Sequence, residues 1–392
     1  MGRAPRGADM TPLPFPVHAR GRPFRVCICG GGSLAHALAA VLGAQSSNEV
    51  RLLTRQPARW SRTIRLIYLD KGELCGRLHA VSDDPAEVVV DADLVILAVP
   101  HAAREAVLRR IACWLGARTW LAGFPGFGGL VWAIRRVLGD QPVMGLQRVP
   151  YVRKVISYGQ VVWVSGIRPE LFVATVPSGY APMAARLLQA LLNVPAKPLA
   201  HYLGVCLSNS NPIFHPSRLY ALWRDAGRDL VWTHRPEFYE DWDDLASETY
   251  LACERDLQAI GAACPVDLSA RQTLLEHYRA TNAREVTRII RGIAALRDRP
   301  VPMRAAGTGW TPDLYSYYFT EDIPYGIVIQ RALADIVNVP TPALDAVISW
   351  AQRWTGMDWL NGGKVCGRDA LDLPLPQWLG VADGRALVEM LM

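Results

Sequence analysis

Apolar and polar positions follow two different periods through the first half of the chain. Residues 26–29, 50–54 and 93–99 are short, mostly apolar runs, and the continuous ones are typical of strands buried on both faces of a parallel sheet. Between and after them, residues 34–42 and 103–115 are predicted helices. Strand, crossover helix and strand in repetition predict a doubly wound α/β domain.

The pattern changes near residue 200. Three more predicted elements close the first domain: strands at 161–164 and 171–176 and a helix at 183–192. From His201 onward helical segments dominate: 246–260, 268–280, 283–296, 327–337 and 343–355. Thr341 and Pro342 suit the N-cap and first turn of the last helix. We therefore expect an α/β domain in residues 24–199 and an all-α domain in residues 200–392.

The net charge is concentrated at one end of the chain. The 392 residues carry a formal charge of +6, and residues 1–25 contribute four of these charges, because they hold Asp9 and five arginines: Arg3, Arg6, Arg20, Arg22 and Arg25. The rest is nearly neutral, which argues against a nucleic-acid-binding face. Since residues 1–23 also contain five prolines, we expect a mobile basic arm there.

Apolar runs and cysteines exclude two further classes of protein. No run approaches the ~18–20 apolar residues of a membrane span. The eight cysteines are scattered, without a CxxC pair or a cysteine–histidine cluster at zinc spacing. We therefore expect a cytoplasmic protein with reduced thiols and with neither a metal nor a membrane partner.

A glycine turn lies between the first predicted strand and the first predicted helix. It fits the G-x-G-x-x-A dinucleotide fingerprint, in which glycines let a pyrophosphate approach the backbone and the helix N-terminus faces it. The predicted cofactor-binding residues here are Gly30, Gly31, Gly32, Ser33, Leu34 and Ala35. The turn therefore predicts a Rossmann-type domain that binds a nicotinamide dinucleotide. Pro100, just past another strand, is predicted to line the same crevice, and residues 126–129 form a second glycine turn, either near the nicotinamide or as a packing turn.

The end of the second strand favours NADPH over NADH. An NAD enzyme usually has an acid there for the ribose hydroxyl. This chain has Thr54 and Arg55, followed by Arg59 and Arg62, with no acid before Asp70. An arginine can pair with a 2′-phosphate, whereas an acid would repel it. NADPH is the predicted cofactor and NADH the alternative.

One histidine has distinctive neighbours. Reduction of a C=O or C=N bond needs a proton donor, and histidine serves best near neutral pH. His215 lies between Pro212 and Pro216, which predicts a rigid, non-helical presentation of the ring. His101 is expected to be a packing residue at the edge of the crevice. Six other histidines lack distinguishing surroundings: His18, His36, His79, His201, His234 and His277.

Two adjacent acids lie in a second unusual segment, residues 315–326, which is rich in aromatic residues and ends at a proline and a glycine. Glu321 and Asp322 precede a predicted helix at Ile327. A carboxylate paired with a histidine orients the ring and stabilises its charged form. The alternative is that both acids simply begin the helix, where negative charge is favourable.

These two segments resemble the octopine/nopaline (opine) dehydrogenases. The N-P-x-x-H-P segment at 211–216 and the T-E-D-x-P-Y-G segment at 320–326, behind a GGG turn, are similar to that family's signature. The resemblance implies that His215 is the acid–base group and Asp322 its partner. It implies imine formation between an amino acid and an α-keto acid such as pyruvate or 2-oxoglutarate, followed by reduction to a secondary amine.

The substrate-binding residues implied by the resemblance are Asn211, Tyr317 and Thr320. The family pattern has an arginine five residues before the motif aspartate, where it can hold a substrate carboxylate, and here that position is Tyr317. A phenol offers one neutral hydrogen bond instead of a bidentate charged pair. Substrate preference therefore differs, or another arginine, such as Arg218 or Arg304, substitutes.

Two other functions are compatible with the same fold. A 2-hydroxyacid or sugar-phosphate dehydrogenase would use a site centred on lysine or asparagine, but the four lysines lie outside any polar helix motif: Lys71, Lys154, Lys197 and Lys364. A non-catalytic NADPH-binding redox sensor would keep the glycine turn without needing His215 or Asp322. A homodimer is the oligomer left open.

Overall fold

The computed structural model describes residues 15, 22–69, 72–229, 231–268 and 272–392. Twelve strands lie in the first half of this described part: β1 (Phe24–Cys29), β2 (Asn48–Leu53), β3 (Thr63–Tyr68), β4 (Glu73–Arg77), β5 (Ala80–Ser82), β6 (Leu94–Leu97), β7 (Trp120–Gly123), β8 (Val143–Leu146), β9 (Tyr151–Ser157), β10 (Val161–Ile167), β11 (Leu171–Val176) and β12 (Ala196–Pro198). The helices there are α1 (Ser33–Gly43), α2 (Pro85–Val88), α3 (Arg104–Ile111), α4 (Leu130–Leu138) and α5 (Ala181–Leu192).

Eight strands form the central sheet in the order β12-β11-β8-β7-β6-β1-β2-β5. All neighbours are parallel except β11 and β8. Because Cys29 is level with Leu97, and Leu97 with Gly123, the carboxyl ends of β1, β6 and β7 share one edge. In open parallel sheets that edge holds the ligand. The predicted doubly wound domain is confirmed.

Helix α1 is enclosed by a second sheet that periodicity did not separate from the first. Strands β4, β3, β10 and β9 form this four-stranded sheet, and α1 packs between the two. Every residue from 34 to 42 is buried as a result. Gly76 permits the contact, since a Cβ there would lie 2.6 Å from the Ala39 carbonyl oxygen. The predicted strands at 161–164 and 171–176 thus belong to different sheets.

The second half of the described chain is helical, as expected. Its helices are α6 (Leu203–Ser208), α7 (Asn211–Trp223), α8 (Asp244–Ala263), α9 (Leu274–Tyr278), α10 (Ala283–Gly292), a π-helix (Tyr318–Val328), α11 (Ile329–Val337), α12 (Pro342–Thr355) and α13 (Gly384–Met390). Two small hairpins interrupt them: β13 (Met303–Ala306) with β14 (Gly309–Pro312), and β15 (Leu360–Asn361) with β16 (Lys364–Val365).

One local prediction in this half is wrong, and another is met in position only. The helix expected over residues 268–280 covers only α9 among the residues described, and residues 269–271 lie outside them. Thr341 is the N-cap residue of α12 and Pro342 lies in its first turn, as predicted, but the threonine side chain makes no capping hydrogen bond. The carboxylate of Asp256 in α8 accepts instead from the amides of Ala343 and Leu344, at 2.8 and 2.9 Å. A tertiary contact therefore replaces the local cap.

The two ends of the chain pack against the α/β domain. Most of the predicted mobile arm, residues 1–14 and 16–21, lies outside the described residues. Phe15 is buried against Trp120, with ring centroids 4.8 Å apart, and Arg22 pairs with Asp93. At the other end, the Met392 carbonyl accepts from the amide of residue 178 at 2.6 Å. No helix among the described residues is long and apolar enough to cross a membrane.

Candidate active site

The N-P-x-x-H-P segment forms the start of α7, so the prediction of a non-helical His215 is wrong. Pro212 occupies the first turn of α7, where a missing amide costs nothing. Pro216 lies inside the helix and removes one hydrogen bond. The helix tolerates this loss because it is packed along its length against α8 and the π-helix.

A single glycine brings the two motifs together. A Cβ on Gly326 would lie 2.6 Å from the Cβ of Pro212, so only glycine lets the π-helix approach α7 this closely. Asp322 precedes Gly326 by about one helical turn, and His215 follows Pro212 by about one turn. The contact between glycine and proline therefore sets the histidine opposite the aspartate.

His215 and Asp322 form a hydrogen-bonded pair in which the carboxylate is buried and the imidazole is partly exposed. The ring Nδ1 of His215 lies 2.8 Å from Oδ2 of Asp322, and Nε2 lies 3.2 Å from the Tyr239 hydroxyl. Nδ1–H donating to the carboxylate is the tautomer that fits this network. Burial raises the pKa of Asp322, which is only 1% exposed, and the contact with His215 lowers it in part. The arrangement can orient the ring and stabilise its protonated form.

Aromatic side chains surround the imidazole. Tyr318 lies 4.6 Å and Phe238 5.7 Å from the His215 ring, between centroids. Burial raises the pKa of the Tyr239 and Tyr318 phenols, so both remain hydroxyl groups at neutral pH. Sequence reasoning missed Tyr239. Its segment, residues 235–242, has no motif or spacing that links it to His215.

Glu321, next to Asp322, joins the π-helix to the α/β domain. Its carboxylate accepts from the amide of His101 at 2.6 Å and lies 2.8 Å from the ring Nδ1 of the same residue. Burial lowers the pKa of His101 to about 4, with Arg104 adding to the effect, so the ring is neutral and Nδ1–H donates. Burial opposes ionisation of Glu321, but its bonds to His101 hold its pKa below the ordinary value.

The contact between Glu321 and His101 connects the π-helix, which carries Asp322, to the edge of the central sheet where β1, β6 and β7 end. His101 follows β6 by a few residues, and Gly30 packs so closely on this segment that a Cβ would collide with the Ala98 carbonyl. Both acids lie within the π-helix, Glu321 in its first turn, and both also have histidine partners. The His215–Asp322 pair is thus tied to the end of β6, beside the glycine turn.

The glycine turn has the features of a phosphate cradle. Gly30 has a φ of +142°, which side chains rarely adopt. Gly32 is the N-cap of α1, with no side-chain cap, so the first amides of that helix, at Ser33, Leu34 and Ala35, are available to an anion. Tyr158 covers the turn, since its hydroxyl lies 2.7 Å from where a Cβ on Gly31 would be. These residues fit a dinucleotide.

The second glycine turn is accounted for by packing. A Cβ on Gly128 would collide with the His101 ring, and one on Gly129 with Pro374. Arg104 is buried beneath the turn and donates to the carbonyls of Pro125 and Phe127. Of the two readings left open by the sequence, the geometry favours the packing turn.

The residues after β2 differ in whether their side chains already have partners within the protein. Thr54 is buried beside Gly31. Arg59 lies over the Tyr158 ring, 4.4 Å from its centroid, and Arg62 donates to the His79 carbonyl at 2.5 Å. Arg55 is exposed and has no side-chain partner among the described residues. Pro100 caps the short 3-10 turn that presents His101.

The predicted substrate residues are only partly brought together. Tyr317 is 54% exposed and adjoins the π-helix that carries Asp322. Asn211 is exposed at the first turn of α7, while the Thr320 hydroxyl donates at 3.2 Å to the carbonyl of Ser316, which precedes the π-helix. A cavity of about 670 Å³ opens beside Ser210, but His215 is not among the residues that line it.

Neither arginine suggested as a substitute for the family's arginine is in place for that role. Arg218 is buried and already donates to the Phe238 carbonyl and to Asp243, at 3.1 and 2.9 Å. Arg304 is exposed on hairpin strand β13. Among the described residues, no three potential metal ligands converge, and all eight cysteines are free.

Comparison with known proteins shows which dehydrogenases this chain is similar to. Residues 198–355 match the family model described as NAD/NADP octopine/nopaline dehydrogenase, alpha-helical domain. Residues 25–123 match the NAD-dependent glycerol-3-phosphate dehydrogenase N-terminus. Octopine dehydrogenase of Mizuhopecten yessoensis is 29% identical over 91% of this chain and 96% of its own length. Tauropine dehydrogenase of Arabella iricolor is 27% identical over 90% and 97%. A solved octopine dehydrogenase structure with NADH and L-arginine superposes with a TM-score of 0.83, at 27% identity over 93% of this chain and 97% of the other.

Proposed function

We propose that the chain is an NAD(P)H-dependent opine dehydrogenase of the octopine/nopaline dehydrogenase family, and that it works with His215 as acid–base group, Asp322 as its partner and NADPH as the preferred cofactor. Its reaction joins an amino acid to an α-keto acid through an imine. The observation that supports the site most directly is the 2.8 Å contact between His215 and Asp322.

His215 manages the protons of this reaction. Condensation releases the keto oxygen as water and needs a proton on that oxygen, and the imine nitrogen must hold a proton when hydride reaches the adjacent carbon. The Nε2 of His215 exchanges these protons. The Nδ1–H of the same ring stays hydrogen-bonded to Asp322, which keeps the tautomer of the imidazole fixed. Tyr239 holds Nε2 by its hydroxyl until substrate takes that position.

The cofactor site consists of the turn Gly30–Gly32, the α1 amides at Ser33, Leu34 and Ala35, and the residues Thr54, Arg55, Arg59 and Pro100. When bound, the reduced nicotinamide supplies the hydride. The α1 amides hold the pyrophosphate. Arg55 supports the preference for NADPH because, unlike Arg59 and Arg62, it has a guanidinium free for a 2′-phosphate among the described residues.

An Arg55→Asp variant tests this preference. Charge-assisted hydrogen bonds contribute about 1.5–3 kcal/mol, so kcat/KM for NADPH relative to NADH should fall by roughly ten- to a hundredfold. Arg62→Asp is the matched control, because Arg62 already donates to a backbone carbonyl. An unchanged ratio in Arg55→Asp would exclude Arg55 from the cofactor site.

The substrates are an amino acid and an α-keto acid, pyruvate or 2-oxoglutarate. Asn211, Tyr317 and Thr320 are the proposed substrate contacts on the helical domain. The phenol in place of a guanidinium at 317 predicts a substrate pair different from one held by an arginine there.

One assay distinguishes this reaction from the others that the fold allows. Purified enzyme is mixed with NADPH, pyruvate or 2-oxoglutarate, and a panel of amino acids, and loss of NADPH absorbance is followed. Oxidation that requires both amine and keto acid supports the opine reaction. Oxidation with the keto acid alone would indicate a 2-hydroxyacid dehydrogenase, and tight NADPH binding without oxidation would indicate a sensor.

We also propose a cytosolic homodimer. The eight free cysteines support a reducing compartment. An exposed edge strand, β9, carries the apolar side chains of Val152 and Ile156 and supports self-association. Light scattering that gives the mass of one chain would exclude the dimer, and fractionation that places the protein outside the cytosol would exclude the location.

A further inference from the structure

The cavity beside Ser210 lies between the two domains and is lined by basic side chains. Its volume of about 670 Å³ is within the range of small-molecule binding sites. The α/β domain contributes Arg148, which follows β8, and Arg168, which follows β10, while the helical domain contributes His277 of α9. The amide of Arg168 donates to the Pro150 carbonyl at 3.0 Å, which brings the loop of Arg168 against the loop that carries Arg148.

The two arginines of this cavity have no acid partner. Arg148 donates from Nη2 to the Ser210 hydroxyl at 3.1 Å. In the part of the chain that the structure describes, nothing accepts a hydrogen bond from the Arg168 side chain, and no acid forms a salt bridge with either guanidinium. Partial burial lowers the pKa of Arg168 and of His277, and the neighbouring positive charges lower both further. The arrangement favours an anionic ligand.

The acids in the wall of the cavity do not supply this counter-charge. Glu170 pairs with Lys197 at 2.8 Å, and the carboxylate of Glu254 accepts from the Leu274 amide at 2.6 Å. Asp267 also lines the cavity, but it forms no ion pair with either of the two arginines. The positive charge on this part of the wall is therefore left for a ligand.

The rest of the wall suits an organic anion. Leu207, Ile213 and Leu257 contribute apolar surface that can contact a carbon chain. Hydrogen bonds to charged groups are stronger where such walls exclude water. Since a guanidinium can bind a carboxylate by two parallel hydrogen bonds, a short carbon chain with a carboxylate fits this lining.

The cavity adjoins the helix that carries His215, although His215 itself does not line it. Ser210 lies just before α7 and Ile213 lies in its first turns, and both line the cavity. On the other side, Gln147 and Arg148 follow β8, which runs parallel to β7 and ends at the same edge of the central sheet. A ligand here would therefore lie along the edge that also holds the cofactor crevice.

We propose that this cavity binds an organic carboxylate, which Arg148 and Arg168 hold through their guanidinium groups. Two kinds of ligand carry this chemistry. One is a reacting substrate with a second carboxylate, such as glutamate or 2-oxoglutarate, and the other is a dicarboxylate that binds without reacting. The first source rests on the opine dehydrogenase function, whereas binding in the cavity does not.

Isothermal titration calorimetry of the enzyme–NADPH complex tests the proposal, with succinate, L-glutamate and 2-oxoglutarate each titrated alone. We expect succinate to bind and succinamide, which lacks both charges, to bind about tenfold more weakly or less. Arg148→Met and Arg168→Met each keep the apolar length of the side chain and remove the charge. Each should raise Kd for succinate by about ten- to a hundredfold, the range for a lost charged hydrogen bond.

Lys197→Met is the matched control, because Lys197 lines the same cavity but is paired with Glu170. Its Kd for succinate should stay near the wild-type value, and Kd for NADPH should be unchanged in all three variants. Three results would overturn the proposal. Wild-type enzyme could bind none of the carboxylates, both arginine variants could bind them with wild-type Kd, or Lys197→Met could weaken binding as much as the arginine variants do.

Steady-state kinetics then separates the two sources of the carboxylate. Succinate that competes with L-glutamate or 2-oxoglutarate, together with a raised KM for that substrate in Arg148→Met and Arg168→Met, assigns the cavity to the substrate. Succinate that binds without competing with any amino acid or keto acid assigns the cavity to a separate dicarboxylate.

This proposal and the proposed function fail in distinguishable ways. If wild-type enzyme with NADPH, keto acid and amine shows no oxidation, the proposed function is wrong, and calorimetry still decides whether the cavity binds a carboxylate. If wild-type enzyme is active and the arginine variants bind succinate as tightly as the wild type, only the role of the cavity is wrong.

Discussion

Two histidine–carboxylate pairs use adjacent residues of the π-helix, yet they are built for different purposes. Glu321 binds His101 and Asp322 binds His215, in both cases with Nδ1 and a carboxylate oxygen 2.8 Å apart. The first pair is buried, and the Nε2 of His101 has no hydrogen-bond partner among the described residues. In the second pair Nε2 reaches a hydroxyl and the ring is partly exposed. We call the first pair the latch and the second the dyad.

The comparison shows that pairing alone does not make a catalytic histidine. Burial lowers the pKa of the latch histidine to about 4, so it cannot supply protons at neutral pH. The latch joins the two domains and positions the π-helix, whereas the dyad keeps one nitrogen available. What distinguishes them is the access to Nε2, which depends on packing across the domain boundary.

The largest expected effect comes from the dyad histidine. His215→Ala should reduce turnover by about 10²–10⁴-fold, the contribution of general acid–base catalysis. Binding of NADPH should be nearly unchanged, because the glycine turn is untouched. Steady-state kinetics and a fluorescence titration of NADPH measure both quantities.

His234→Ala is the control for this loss, since His234 is exposed. Near-normal turnover in His215→Ala would remove this residue from catalysis, and the dyad would then be no different in function from the latch.

The next prediction concerns Asp322, whose replacement should lower the turnover rate without lowering the stability of the fold. Asp322→Asn should lower turnover by about a hundredfold, because the amide cannot stabilise a charged ring. Burial raises the pKa of Asp322, so its ionised form is disfavoured in the folded protein and destabilises it at neutral pH. Asparagine removes that cost, and Tm should stay the same or rise.

Thermal unfolding at pH 7, beside the kinetics, measures this separation. An Asp322→Asn protein that loses stability and rate together would mean that the dyad is a structural contact like the latch.

The latch should make the free energy of unfolding depend on pH. The pKa of His101 falls from an ordinary 6.5 to about 4 on folding, so between these values the unfolded chain binds the proton and the folded one does not. Stability is therefore lost as pH falls from 6.5 to 4, by about 3 kcal/mol at most. The lowered pKa of Glu321 acts in the same direction as pH falls through it.

Urea unfolding between pH 4 and 7 measures this loss. In His101→Asn, which cannot titrate but can still donate to Glu321, the slope between pH 6.5 and 4 should be shallower. An equal slope in the variant would show that His101 is not the titrating group.

The sequence predicted much of the dyad but not the pairing that forms the latch. Prolines, asparagines and adjacent acids distinguished His215 and Asp322 locally, and the family resemblance paired them. His101 was expected to pack at the edge of the crevice and Glu321 was noted as one of two adjacent acids, but the two are 220 residues apart and no local signal pairs them, because periodicity reports which face of an element is buried but not what covers it. Tyr239 was missed for the same reason.

The fold was predictable where local pattern and tertiary structure agree. The glycine turn and the strands β1, β2, β6 and β11 of the central sheet had clear signals. His215 was wrongly expected outside a helix, because Pro216 argues against helix locally whereas packing of α7 on two neighbours outweighs its cost. The four-stranded sheet was not separated from the first, since pairing of β3 with β10 depends on residues about a hundred positions apart.

The smallest expected effect concerns the hydroxyl that distinguishes the two pairs. Tyr239→Phe removes the partner of Nε2 and leaves the ring stack and the latch intact. One neutral hydrogen bond contributes about 0.5–1.5 kcal/mol, so turnover should change by about two- to tenfold. A loss as large as in His215→Ala would mean that the phenol itself delivers the proton. The dyad would then be a three-residue relay, and its difference from the latch would lie in Tyr239 more than in the exposure of the imidazole.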